Sequence, residues 1–233
     1  MKMHSVRRLA FLFSFFFLGT KPGLALTFNA IIASLNSQPS LDTFEVDVKT
    51  SMSMLGQSVS LSSHIITKGA EKFWMEQTSS LGSQRIIRNG FKTQSIDMRT
   101  GKKQSVKLSD LASMGGGTVK STSFFEQGRY SDPKDVGSGQ FEIALIPGSD
   151  SSAVSRTITY DSNQKSLTRI VQVGTHQDTT VSEMTFTVIN GRSALSRMVL
   201  NISMPGMFNK ILIDYSGYSV PESITDAIFT IQD

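Results

Sequence analysis

Few residues of this 233-residue chain could carry covalent chemistry. There is no cysteine, and so no disulfide, no thiol nucleophile and no thiolate metal site. His64 and His176 are the only histidines beyond the first 25 residues. Neither has a histidine, cysteine or carboxylate at a recognisable ligand spacing, so both read as surface residues and no metal is expected. No G-x-S-x-G elbow is present, and neither is an H-E-x-x-H helix or a Walker loop. Gly115-Gly116-Gly117 lacks the Lys-Ser/Thr that would grip a phosphate and reads as a flexible loop. Asn201-Ile202-Ser203 matches a glycosylation sequon by chance, inside an expected strand. Asp97, Glu183 and Asp214 are scattered, and an enzyme would need them to converge on a polar cleft. The expectation is a protein that is not an enzyme and takes no cofactor.

Soft apolar side chains are plentiful instead. Beyond residue 25 there are nine methionines, ten phenylalanines and Trp74. Methionine is flexible and polarizable and repacks around varied apolar ligands, although ordinary core is the commoner use of such residues. Met207 and Phe208 come directly after Pro205-Gly206, so two large apolar side chains are expected at a hairpin turn. There they would line a cavity mouth, touch a membrane or a partner, or fold back onto the sheet.

The elements that would position these residues are legible from periodicity. Residues 1–25 have a basic start with Lys2, Arg7 and Arg8. An apolar run of eleven comes next, LAFLFSFFFLG, and then the small residues Gly23 and Ala25. This is the pattern of a secretory signal peptide, and the run is too short for a spanning helix of roughly 20 residues. The four basic residues of this segment account for the whole net charge. With them set aside, 19 basic residues face 19 acidic ones. The positive field that phosphate binding requires is missing, so nucleic acid is not an expected partner. Residues 26–233 are enough for one domain with a sizeable core.

TFNAIIASLNS, residues 27–37, places Phe28, Ile31, Ile32 and Leu35 at helical spacing. From residue 43 the period becomes two. Phe44, Val46, Val48, Met52 and Met54 share one parity, then Val59, Leu61 and Ile65, then Phe73 and Met75. Asn89-Gly90 signals a hairpin in which both residues tolerate positive φ. Residues 109–139 break the pattern and read as a cap or insertion, with SDLASM a short helix and SDPKDVGSG a polar loop. Alternation resumes in FEIALIP, RTITYD, SLTRIVQVG, TTVSEMTFTVI, ALSRMVLNISM and KILIDYSGY. Turns are marked by Asp161 to Gln164, Asn190-Gly191 and Pro205-Gly206. SVPESITDAIFTIQD reads as a helical turn before a last strand. The implied fold class is mainly β (α+β). About ten strands in consecutive hairpins form an unclosed antiparallel barrel or half-barrel. The N-terminal helix and a small helical or loop cap lie on its concave face.

SHIITKGAEKFWMEQ and IIRNGFKTQSIDMRTGKK, with the ending SRMVLNISMPGMFNKILIDYSGYSVPESITDAIFTI, resemble the periplasmic outer-membrane lipoprotein carriers, the LolA-like group. Tyr215, Tyr218 and Phe229 fit that ending, and the helix before FEVDV fits the start. One departure is the stretch Thr93 to Asp97, where carriers often have an aromatic. The resemblance implies an unclosed barrel that carries acyl chains of lipids or lipoproteins. It also implies an inner-membrane release complex as donor and an outer-membrane receptor as acceptor. With the signal-peptide pattern and no cysteine to be lipidated, the chain is expected in the periplasm as a soluble monomer; a sensor or scaffold of the same fold is the alternative. The physical motive is plain, since a sixteen-carbon chain is worth roughly 12 kcal/mol of water avoidance at ~0.8 per CH₂. Strand parity nominates Phe44, Val46, Val48, Met52, Phe73, Met75, Met184, Phe186, Met198, Leu200 and Ile202 for the inner, lipid-binding face. Met207 and Phe208 are nominated for the cavity mouth or a partner contact. A one-residue register slip would invert these assignments.

Overall fold

Alternating side chains give each strand one apolar face, and an antiparallel sheet buries that face against whatever covers it. In a computed structural model, this produces one long sheet. The structure describes residues 26–38, 41–54, 56–106, 125, 128–146, 153–176 and 178–231. The expected signal peptide lies outside them, and so do residues 109–124, 126 and 127 of the expected cap, including the expected SDLASM helix.

Helix α1 (Phe28–Ser37) starts the described chain, its first turn capped by Thr27, whose Oγ1 accepts from the Ala30 N–H at 3.2 Å. The first half of the sheet holds β1 (Thr43–Met54), β2 (Gln57–Lys68), β3 (Lys72–Ser79), β4 (Gly82–Asn89), β5 (Lys92–Asp97) and β6 (Lys103–Ser105). The second holds β7 (Arg129–Tyr130), β8 (Lys134–Gly137), β9 (Gln140–Ile146), β10 (Ala153–Asp161), β11 (Ser166–Gly174), β12 (Thr179–Ile189), β13 (Arg192–Met204) and β14 (Met207–Ser219). A 3-10 turn, Asp226–Phe229, packs against β3 and β4 near the end. The strand order is β6-β5-β4-β3-β2-β1-β14-β13-β12-β11-β10-β9-β7, with β8 beside β9. β6 and β7 end the sheet without pairing to each other, so the half-barrel stays open. The two halves join where β1 pairs with β14, residues more than 150 positions apart in the chain.

Register shifts help the sheet to curl, among them those at Glu45/Asp47, Thr159/Tyr160 and Thr185/Phe186. An extra residue in one strand bends it and raises its twist.

Fourteen strands replace the expected ten or so. The surplus includes β6, β7 and β8, pieces of two to four residues too short to show alternation. SDPKDVGSG is accordingly a correction, since it contains β8 and is not simply a loop. The expected last strand is absent among the described residues, and the chain leaves the 3-10 turn without pairing. The Asn89-Gly90 hairpin also differs. Asn89 pairs with Lys92, so the two central residues are Gly90 (φ 63°) and Phe91. Only Gly90 needs positive φ, the requirement of a type II′ turn. Asn190 (φ 49°) and Gly191 (φ 75°) form the turn with both residues left-handed.

Candidate lipid-binding face

Pairing register joins the strand faces into one surface. Val46 lies opposite Ile65, Ile65 opposite Met75 and Met75 opposite Ile86. A second row runs Val59, Met52, Ile211, Leu200, Ser182, Ile170, Ile158 and Ile143, from β2 through β1 and β14 to β9. Eight strands at roughly 4.8 Å spacing make this row about 34 Å wide. Leu61, Thr50, Ile213, Met198 and Met184 form the parallel row beside it.

The surface has three zones. At one end α1 lies on β9, β10 and β11, where Ile31 and Leu35 join Ile143, Ile158, Tyr160, Leu167 and Ile170 in a buried cluster. Phe28 stacks on Tyr130 with ring centroids 5.8 Å apart, and the Ser34 and Tyr160 hydroxyls are 2.8 Å apart. At the other end Val46, Val48, Ile65, Phe73, Met75 and Ile86 form a second cluster, with Phe44, Ile213, Tyr215 and Tyr218 packed against it. Burial raises the Tyr215 phenol above its ordinary value. Burial, then the neighbouring Tyr215, raises Tyr218 as well, and its hydroxyl donates to the Leu195 carbonyl at 2.8 Å. Between the clusters lies a strip that is apolar yet only half-buried: Met52, Val59, Leu61, Met184, Phe186, Met198, Leu200, Ile202, Ile211 and Ile213.

The eleven residues nominated by parity thus share this face, but not one environment. Val46, Val48, Phe73 and Met75 are packed, and Met75 is only 2 % exposed. Met52, Met184, Phe186, Met198, Leu200 and Ile202 are in the strip, and Phe44 flanks the second cluster. Met207 and Phe208 separate. Neither is in the turn itself, which is Pro205-Gly206. Met207 opposes Met204, and Phe208 opposes Ser203. Consecutive strand residues face opposite ways, so Met207 joins the inner face and Phe208, 58 % exposed, points away. The nominated set leaves out Val59, Leu61, Ile211 and Ile213, although the alternation of Val59, Leu61 and Ile65 and that in KILIDY carried the signal for them.

The outer face carries a polar row beside the apolar row Ile66, Trp74 and Ile87. Asp47, His64, Glu76 and Arg85 lie in one register row across β1 to β4. His64 Nδ1 is 2.8 Å from Asp47 Oδ1, Arg85 reaches Glu76 Oε2 at 3.2 Å, and its guanidinium lies 5.6 Å from the Trp74 ring. His64 therefore has a carboxylate partner that sequence spacing did not reveal. The acids an enzyme would bring together stay apart. Glu183 sits 3.8 Å from Arg169, and Asp214 takes the Arg197 Nε–H at 2.6 Å. Asp97 accepts the backbone N–H groups of Thr100 and Arg99, which hold its carboxyl below the usual range. Among the described residues, no group of three His, Cys, Asp or Glu could hold a metal. No helix among them is long and apolar enough to cross a membrane.

Asp226 fastens the C-terminal segment. Lys68 and Lys72 donate to its two oxygens at 2.7 and 2.9 Å and lower its carboxyl, while Phe229 beside it is fully buried. Two surface hollows, of about 520 and 320 Å³, lie elsewhere. One is by Phe91, Thr93, Val106 and Ile231, the other by Val136, Thr159 and Arg169. Neither includes a residue of the strip, which is partly buried along its length. An acyl chain needs a long apolar contour more than a closed pocket, and the strip is the feature with that shape.

No family model matches the chain, and no curated protein matches it either. Solved structures do. A LolA superfamily protein from Nitrosomonas europaea superposes with a TM-score of 0.57 at 15 % identity, covering 89 % of this chain and 99 % of that one. A structure described as a putative outer membrane lipoprotein-sorting protein domain, from Vibrio parahaemolyticus, gives 0.56 at 6 % identity, covering 85 % and 94 %. A DUF1329 family protein from Desulfovibrio piger gives 0.53 at 10 %, covering 86 % and 94 %. Over most of its length, this chain has the fold of the LolA superfamily, an unclosed half-barrel with a helix on its inner face.

Proposed function

We propose that this protein is a non-enzymatic carrier working in the periplasm. It holds the acyl chains of lipids or lipoproteins on its inner face and moves them toward the outer membrane. The observation that carries this reading is the half-buried strip of Met52, Leu200, Ile211, Met198 and Ile213 between two packed clusters. A folded protein gains by burying such surface, and contiguous exposed apolar patches mark binding sites. Methionines at Met52, Met184 and Met198 suit ligands of varied shape. The lipoprotein-sorting description of the Vibrio structure agrees with it. The donor would be an inner-membrane release complex and the acceptor an outer-membrane receptor.

The test is native mass spectrometry of residues 26–233 purified gently from the compartment to which they are exported, with lipid extraction afterwards. Bound lipid or acylated protein near one-to-one supports carriage. A clean apo mass, with no uptake when lipids are offered, defeats it and turns attention to a sensor or scaffold that binds a partner protein.

A further inference from the structure

The strip is not apolar on both sides. One register row closer to the β13–β14 turn, the same inner face carries Gln57, Met54, Asn209, Ile202, Thr180, Gln172 and Arg156, in that order from β2 to β10. Successive rows on one face are about 6.7 Å apart. An amphiphile whose tail lies along the Met52–Ile211–Leu200 row therefore has the amides of Gln57, Asn209 and Gln172 and the Arg156 guanidinium beside it on this side, against Thr50 in the opposite row. Arg156 is engaged there already, with its Nε and Nη2 donating to Gln172 Oε1 at 3.2 and 2.9 Å and its Nη1 to the Tyr130 hydroxyl.

Asn209 is different. It is 8 % exposed, flanked in register by Met54 and Ile202, and its Oδ1 is buried without a hydrogen-bond partner. An orphaned amide carbonyl in apolar surroundings is costly, and native proteins retain such groups rarely. Its neighbours Met54 and Ile202 belong to the mouth of the strip, and Met204 and Met207 lie one row farther out. Unbranched methionine side chains can swing aside and open the oxygen to a ligand.

We infer that Asn209 is a specificity residue of this face. Its Oδ1 accepts a hydrogen bond from a donor at the head of a bound acyl ligand, an amide N–H or a hydroxyl, while the tail lies along the strip. This rests on the carrier reading and adds the ligand's orientation and head-group chemistry. The apolar rows bind any acyl chain, and Asn209 favours a head that carries a donor.

Three probes sharing one fluorescent hexadecanoyl-type tail test this by titration. The first is an N-acylglycine methyl ester, which has an amide N–H. The second is its N-methyl counterpart, which has no donor. The third is a monoacylglycerol, which has hydroxyls. The wild-type chain should bind at least one donor probe about tenfold more tightly than the N-methyl probe, the scale of one buried hydrogen bond made or lost. Which donor wins tells amide from hydroxyl. Asn209→Leu should bind all three alike, at the wild-type affinity for the N-methyl probe, with a melting temperature unchanged or raised because the orphan is gone. Asn209→Ala provides the same comparison with no added bulk. Equal binding of all probes by the wild type, or discrimination that survives both substitutions, overturns the assignment and leaves the carrier reading standing. If no probe binds at all, the carrier reading falls and this one falls with it.

Discussion

Replacing Leu200 and Ile211 together by serine separates a ligand surface from a core. The two lie directly opposite each other on β13 and β14, in the middle of the strip, and both are half-buried. Fully burying such a side chain is worth about 1.5–3 kcal/mol. With up to about a third of each still open to a ligand, each contributes roughly 0.5–1 kcal/mol to binding an acyl chain, and the pair about 1.4. The double variant should therefore bind a tail-labelled acyl probe about tenfold more weakly. Its thermal midpoint should fall by only a few degrees, since partly exposed positions tolerate substitution. Met75→Ala is the matched contrast. Met75 is 2 % exposed between Ile65 and Ile86, and its truncation leaves a cavity costing about 2–5 kcal/mol. That lowers the midpoint by about 5–15 °C for a chain of this size, with probe affinity little changed well below the transition. Fluorescence titration and circular-dichroism melts read the two quantities. Wild-type affinity and a native melt in the double variant would refute the division into strip and core. So would a Met75→Ala chain that loses binding and no stability.

Other outcomes rest on single side chains. Phe229→Ala should cost about 3–5 kcal/mol in urea unfolding, because a fully buried aromatic is removed from the segment packed on β3 and β4. The Asp226 carboxyl sits below its ordinary 3.8 in the folded chain, chiefly through the hydrogen bond from Lys68 and then that from Lys72. Its contribution is thus present above the unfolded value and is lost as pH falls through the lowered folded one. Asp226→Asn should flatten the acid side of a melting-temperature profile below pH 3.8 and be nearly silent in its slope near neutrality; an unchanged acid limb would remove the clamp from the account. Gly191, at φ 75°, tolerates no Cβ without strain, so Gly191→Ala should destabilise by about 1 kcal/mol, whereas a neutral melt would show the turn relaxing.

The sequence by itself determined whatever depends on neighbours in the chain. The helical spacing of Phe28, Ile31, Ile32 and Leu35 marked α1, and the period of two in TFEVDV marked a strand. Asn190-Gly191 and Pro205-Gly206 marked turns because few residues adopt those backbone angles. Parity within a strand even sorted Met198, Leu200 and Ile202 onto one side. The tertiary structure alone decided how those sides join. β1 meets β14 across more than 150 residues, and no local period encodes that pairing. It set Met52 beside Ile211 and divided Met75, packed, from Leu200, only partly buried. It sent Met207 inward and Phe208 outward once the turn proved to be only Pro205-Gly206. It gave His64 the Asp47 carboxylate and left Asn209 Oδ1 alone among apolar side chains. Burial and partnership depend on which strands lie side by side, and that is settled by the whole sheet curling around its inner face.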